Sequence, residues 1–213
     1  MRVIKLGGSL LDCPDLASRM RGWLALQSPA CNVLIVGGGA LVDAIRQADS
    51  THGLGQEACH WLSIRAMGIT ARIVAAILPE AELVDELAMI KNRGGTFILD
   101  PWQFLQAVES GPAADRLPHH WDVTSDSIAA HLADRLQADE LVLLKSDLPE
   151  NGRTVESAAH DGYVDPYLPV AARRLEQVRC VDLRQSGFPE VLLTRDGVAG
   201  GGSGGQTNWT ALR

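Results

Sequence analysis

Lysine is almost missing from this chain of 213 residues, which carries only Lys5, Lys91 and Lys145 against 16 arginines. No run of about 18 apolar residues is present, which excludes a membrane-spanning helix by sequence. Basic residues are outnumbered by acidic ones, for a formal charge of −7. A surface of that sign repels phosphate backbones, so a general nucleic-acid binder is not expected and an anionic ligand must be held by a local site. Cys13, Cys31, Cys59 and Cys180 form no C-x-x-C pair and no short metal-ligand spacing; they read as reduced thiols of a cytoplasmic protein, with no metal site. The opening residues form a β-type run rather than a basic segment followed by an apolar core, so a secretory signal is not expected. No repeat of 20 to 50 residues is found. The phosphate loop G-x-x-x-x-G-K-S/T is also lacking, and Gly37-x-Gly39-x-x-Val42 misses the final glycine or alanine of the dinucleotide fingerprint.

What is present is ordinary globular composition, 46% hydrophobic and 21% charged, on a length that fits one large α/β domain or two small ones. Arg2 to Leu6 reads as a strand ending in Gly7-Gly8-Ser9, followed by helical spacing over Asp15 to Gln27. Asn32 to Val36 repeats the unit, stopping at Gly37-Gly38-Gly39 before a helix. Strands apolar on both faces that alternate with helices imply a parallel sheet covered on each side. The spacing predicts a long helix from Gly55 to Leu78, briefly interrupted at Gly68, and a further helical stretch over Glu82 to Asn92. Thr96 to Leu99 reads as a strand, Pro101 to Glu109 as a helix opened by proline, and Ser110 to Pro118 as a loop. Asp126 to Gln137 is an amphipathic helix and Glu140 to Leu144 a strand. Pro149 to Pro169 reads as a loop, Pro169 to Val178 as helical, and Arg179 to Leu183 and Glu190 to Thr194 as strands. The glycine-dense segment 197–205 is expected to turn into a last edge strand over 206–212.

Chemistry concentrates at the glycine turns. In Lys5-Leu6-Gly7-Gly8-Ser9 a cation within an apolar strand precedes backbone that a ligand can approach closely, an anion pocket in outline; a strand-end lysine reaching for water above a plain turn is the alternative. Gly37-Gly38-Gly39 aims backbone N–H groups and a helix dipole at one spot, or is simply a turn. Thr124 or Ser125 can cap the next helix, with Asp126 in its first turn. Alanines at 129, 130 and 133 allow that helix a close approach, so Asp126 could reach the strand-end lysines. Lys145 closes the strand Leu141 to Leu144 where ligands bind in open parallel sheets. His60 shares a helical stripe with Ile64, Met67 and Ala71, as a core histidine or a substrate contact. His119 and His120 are adjacent in a loop, which defines no metal site.

Taken in order, Val3-Ile4-Lys5-Leu6-Gly7-Gly8-Ser9, Ile35-Val36-Gly37-Gly38-Gly39, Thr124-Ser125-Asp126 and Leu143-Leu144-Lys145-Ser146-Asp147 resemble the amino acid kinase family of aspartate, glutamate and uridylate kinases, from residue 2 to about residue 170. The resemblance implies a three-layer αβα sandwich around a mostly parallel sheet of about eight strands. It also implies a single domain over 1–213, with an acceptor side to about residue 120 and a nucleotide side beyond. ATP would be the phosphoryl donor, with Mg²⁺ on its phosphates, and the partner a small anionic substrate.

Position by position, Lys5 would neutralise the moving phosphoryl group and the Gly7, Gly8 and Ser9 segment would bind its oxygens. Gly37, Gly38, Gly39, His60, Thr124 and Ser125 would face the acceptor. Asp126 would fix the lysines, and Lys145, Ser146, Asp147, Tyr163, Asp165 and Pro166 would border the nucleotide. Two departures stand out: Asp147-Leu148-Pro149-Glu150-Asn151-Gly152 replaces the D-V-D-G pattern, and no late G-M-x-x-K helix supplies a second lysine, a role left to Lys145 or unfilled.

Compactness, Ala58-Cys59-His60-Trp61-Leu62 and Asp165-Pro166 look most like a small archaeal-type branch that includes a furanmethanol phosphate kinase of methanofuran biosynthesis; isopentenyl phosphate kinases and amino acid kinases share the chemistry. A non-catalytic nucleotide or oxyanion binder is the reading from another class. Homodimers or higher homo-oligomers are usual in such families.

Overall fold

The computed structural model describes residues 1–175 and 178–195. Its strands are β1 (Arg2–Leu6), β2 (Cys31–Val36), β3 (Glu82–Val84), β4 (Gly95–Leu99), β5 (Glu140–Lys145), β6 (Val178–Asp182) and β7 (Glu190–Leu193). They form one sheet in the order β3-β4-β2-β1-β5-β6-β7, parallel throughout except for β7, which runs antiparallel to β6. The helices are α1 (Leu16–Ala25), α2 (Ala40–His52), α3 (Gln56–Ile77), α4 (Pro101–Glu109), α5 (Ser125–Leu136), α6 (Val155–His160) and α7 (Leu168–Ala171). Seven strands are thus seen among the described residues, and the edge strand expected over 206–212 lies outside them.

Every residue of β1 is buried, as a central parallel strand with both faces covered requires. Alternation along the strands sorts the core in two. Val3, Val33, Ile35, Leu141 and Leu143 join Ala129, Leu132 and Ala133 of α5 on one face. Ile4, Leu6, Leu34, Val142 and Leu144 join Leu16, Met20 and Trp23 of α1 on the other. Lys5 follows Val3 by two residues and Lys145 follows Leu143 by two, so both ammonium groups emerge on the α5 face.

Three expectations need correction. The stretch Glu82 to Asn92 is not helical: Glu82, Leu83 and Val84 pair with Phe97, Ile98 and Leu99, and only a short 3₁₀ turn, Leu87–Met89, follows. The pairing of a sheet edge overrides a local pattern that suits a helix. The loop over Pro149 to Pro169 contains α6, whose start is fixed by a reciprocal cap between Thr154 and Ser157. The helix expected over Pro169 to Val178 is only the single turn α7.

Gly68 does not interrupt α3, which is continuous through it. A Cβ there would lie 2.9 Å from Asp100 Oδ1, and Asp100 both caps α4 through the Trp102 amide and pairs with Arg72. The glycine serves close packing of helix against strand end.

Candidate active site

Lys5 and Lys145 stand at the carboxyl ends of the adjacent strands β1 and β5, and the head of α5 lies over both. Asp126 Oδ1 is 2.9 Å from Lys5 Nζ, and Oδ2 is 2.9 Å from Lys145 Nζ. The second contact is an aligned hydrogen bond; the first is an ion pair without that alignment. Lys5 is 6% exposed and Asp126 4%, so little water screens the three charges. One carboxylate between two ammonium groups leaves a net positive charge, an arrangement that attracts an anion.

Burial works to raise the Asp126 pKa, but the two ammonium charges outweigh it and hold the group at about 2, against an ordinary 3.8. A folded value below the unfolded one stabilises the protein above about pH 4, and this contribution, on the order of 2 kcal/mol, is lost as the pH falls toward 2. Asp165 is shifted the other way, upward, by burial and the nearby Asp126 charge, so its protonation favours the folded state and opposes the acid loss. The clean measure is the stability of wild type minus that of Asp126→Asn in urea titrations. That difference is expected to shrink between about pH 5 and about pH 2; a constant difference refutes the ion-pair assignment.

Asp165 itself sits at the amino end of α5 rather than on an open edge. Its Oδ2 accepts from the amides of Thr124 and Ser127 and from the Thr124 hydroxyl, and its Oδ1 accepts from the Ser127 hydroxyl. The cap of α5 therefore comes from a residue far along the chain; no side-chain cap bond comes from Thr124. Pro166 is exposed beside it. On the β5 side Lys145 Nζ donates to the Tyr163 carbonyl and lies 4.7 Å from the Tyr163 ring centroid, while the Tyr163 hydroxyl donates to the Asp147 carbonyl at 3.0 Å. Ser146 is half-buried and Asp147 exposed. Lys145, Ser146, Asp147 and Tyr163 thus form one group.

The two glycine loops abut. A Cβ on Gly8 would fall 2.3 Å from the Gly39 nitrogen, and one on Gly37 would fall 2.9 Å from the Gly8 nitrogen. Gly39 has φ 53° and ψ −143° at the head of α2, a conformation suited to glycine. The expectation that Gly7 offers its amide to a ligand is corrected, since that N–H donates to Leu144 O at 2.9 Å. Gly37 N likewise donates to Leu6 O at 2.9 Å. Sheet pairing runs one residue past each strand, and the amides of Gly8, Gly38 and Gly39 are among those left without a backbone partner in the described residues.

Beside these amides opens a cavity of about 220 Å³ lined by Gly8, Ser9, Gly37, Gly38, Gly39, His60, Thr124 and Ser125. Its wall also includes residues that the sequence did not single out, among them Ser63, Val123, Trp121 and Arg46, the last with its guanidinium 4.9 Å from the Trp121 ring centroid. His60 is 8% exposed and stacked on His119, ring centroids 3.9 Å apart. His60 is thus buried, as the core reading expects, and it also lines the cavity. Lys91, the third lysine, is exposed on the turn after β3.

This architecture is similar to that of the uridylate kinase of Archaeoglobus fulgidus, with a TM-score of 0.57 and 16% identity covering 91% of each chain. It also matches the UMP kinase of Bacillus anthracis, at 0.62 and 13% over 92% of this chain and 96% of that one. The aspartate kinase of Synechocystis matches at 0.62 and 14%, over 92% of this chain and 40% of the larger one. The fold is that of the amino acid kinases. Residues 1–147 match the amino acid kinase family, and the chain belongs to that family. A curated relative, the (5-(aminomethyl)furan-3-yl)methyl phosphate kinase of Methanocaldococcus jannaschii, is 25% identical over 146 residues, a stretch that covers 67% of this chain and 64% of the relative. Among the described residues no helix is long and apolar enough to cross a membrane.

Proposed function

We propose that the protein transfers the γ-phosphoryl group of ATP to a phosphate or carboxylate oxygen of a small acceptor held in the cavity beside the glycine loops. The observation that carries this reading is the Lys5–Asp126–Lys145 pairing at the ends of two central strands, next to the free amides of Gly8, Gly38 and Gly39. Phosphoryl transfer demands alignment and charge neutralisation more than covalent help. The acceptor oxygen forms a bond to the γ-phosphorus as the bond to the bridging oxygen of ADP breaks. An anionic acceptor needs no base to remove a proton. Lys5 and Lys145 stabilise the equatorial oxygens of the group in flight, and Asp126 holds both ammonium groups in place without taking part in bond changes.

The nucleotide would lie along Lys145, Ser146, Asp147 and Tyr163. Mg²⁺ on the phosphates would supply further charge neutralisation. Asp126 is engaged by two lysines, which leaves exposed Asp147 as the carboxylate on that edge free to meet an ion that keeps most of its water ligands. A phosphomonoester acceptor on a furan, in cofactor biosynthesis of the methanofuran type, is the substrate reading favoured by the curated relative's name and by a cavity lined with His60, Trp121 and His120. An acceptor side up to about residue 120 and a nucleotide side beyond is the division proposed, with Trp121, Val123, Thr124 and Ser125 from beyond that point also lining the acceptor cavity. Incubation with Mg-ATP and a panel of phosphomonoesters and carboxylates is expected to yield ADP and one diphosphate or acyl phosphate; ATP binding with no ADP from any acceptor would sink the catalytic reading.

A homodimer is the assembly proposed, because Leu62, Ile69, Ile73 and Ile77 leave an exposed apolar stripe along α3. Patches of this kind mark protein contacts. Light scattering should give twice the chain mass for wild type and the single mass for Ile73→Asp.

A further inference from the structure

The turn after β6 carries a guanidinium to the end of the sheet where the two lysines stand. Leu183 extends β6 by one residue, its amide donating to the Lys145 carbonyl at 3.0 Å, and Arg184 follows. Its backbone is fixed from two sides. Buried Asp182 accepts from the amides of Arg184 and Gln185, at 2.8 and 3.2 Å, and from the Gln185 side-chain amide at 3.2 Å. Arg19 of α1 donates to the carbonyls of Leu183 and Arg184.

The Arg184 side chain is far less committed. Its Nη2 donates to the Ser9 carbonyl at 2.9 Å, and no other hydrogen bond of the guanidinium is found among the described residues. Most of its N–H donors, held in one plane, are therefore unengaged. No carboxylate among the described residues lies at ion-pair distance from it, whereas Arg19 beside it is paired with Asp15. Arg184 is exposed, and a planar fork of this kind suits the oxygens of a phosphate, which it can meet through two parallel bonds.

Position decides which phosphate. β6, β5, β1 and β2 stand side by side in that order, so Arg184 meets the turn after β1 across the width of β5. The acceptor cavity lies on the other side of that turn. Gly8 and Ser9 line it together with Gly37, Gly38 and Gly39 of the turn after β2, and Arg184 does not. A phosphate touching Arg184 near the end of β5 thus belongs to the nucleotide rather than to the acceptor. The two faces of the sheet differ as well. Lys5 and Lys145 emerge on the α5 face, whereas Leu183, just before Arg184, joins the core on the α1 face. An anionic chain laid over the end of β5 would have ammonium groups on one flank and the guanidinium on the other.

We propose that Arg184 binds the phosphate chain of the nucleoside triphosphate from the α1 side of β5, opposite the lysine pair. This rests on the kinase reading of the site and adds to it a residue from the turn between β6 and β7.

Calorimetric titration of the full chain with Mg-ATP at several salt concentrations tests it. Arg184→Ala is expected to weaken ATP binding at least about tenfold, the scale of a lost hydrogen bond to a charged group. Salt screens charge contacts, so the fall of ATP affinity with rising salt should be shallower in this variant than in wild type. Arg184→Lys keeps the charge without the fork; it should lose less affinity than Arg184→Ala and keep the wild-type salt dependence. A smaller loss in Arg184→Ala, an unchanged salt dependence, or equal losses in the two variants overturns the proposal, because a side chain that only ties the β6 turn to Ser9 behaves in that way. ADP release is followed in parallel. ATP affinity indifferent to Arg184 with ADP still formed sinks only the assignment of this residue, whereas Arg184-dependent binding without ADP from any acceptor sinks only the kinase reading. A wild type that binds no ATP overturns both.

Discussion

Lys5→Ala is expected to lower kcat by at least about 10²- to 10³-fold, the usual loss when one preorganised donor to a developing charge is removed. The acceptor cavity does not include Lys5 in its lining, so KM for the acceptor should change far less than kcat, which is the signature of an interaction made mainly in the transition state. Lys145→Ala should show a comparable fall with an added rise in KM for ATP, because its ammonium also fixes the Tyr163 carbonyl on the nucleotide side. Steady-state ADP release decides the matter, with circular dichroism to confirm folding. A Lys5→Ala enzyme that keeps more than about a tenth of wild-type turnover contradicts the role assigned to that ammonium group.

Gly8→Ala should be the more disruptive change to the scaffold. The added methyl would stand 2.3 Å from the Gly39 nitrogen and 2.6 Å from its Cα. Both are backbone atoms with no rotamer to change, so the loops must separate. Overpacking of this kind costs about 1–3 kcal/mol or more, and separation scatters the amides that converge on the acceptor. Turnover is expected to vanish and the melting temperature to drop by several degrees. Gly94→Ala is the control, because no atom lies within 4 Å of its added Cβ. Equal melting temperatures for the two variants would show that the loops are not in contact as described.

The strands and glycine turns were readable because a parallel sheet asks for apolar runs with sharp ends, and β1, β2 and β5 have them. The three-residue edge strand β3 was not, since its pairing with Phe97 to Leu99 is remote information that no local spacing contains. α6 was hidden in a polar segment, although Thr154 and Ser157 stand at cap spacing; serine in the second cap position is a weaker signal than glutamate. The meeting of Lys5, Asp126 and Lys145 was legible from the alanines that let α5 approach closely and from the ordered set of motifs, although the residues are far apart in sequence. Asp165 was placed at the nucleotide edge by the family resemblance alone. Its carboxylate is instead spent on four donors at the head of α5. Ser63 had no distinguishing neighbour in sequence, and only its burial without a partner in the cavity wall reveals it.

The strand order has one more consequence. β1 is synthesised before every other strand of this sheet, yet it lies in the middle of it, and β5, which covers its second edge, begins only at Glu140. Until β5 is made, the segment around Lys5 therefore keeps one row of amides and carbonyls unmatched, in a stretch apolar enough to join another nascent chain. Synthesis, rather than the folded state, is the stage at which this molecule is most open to aggregation.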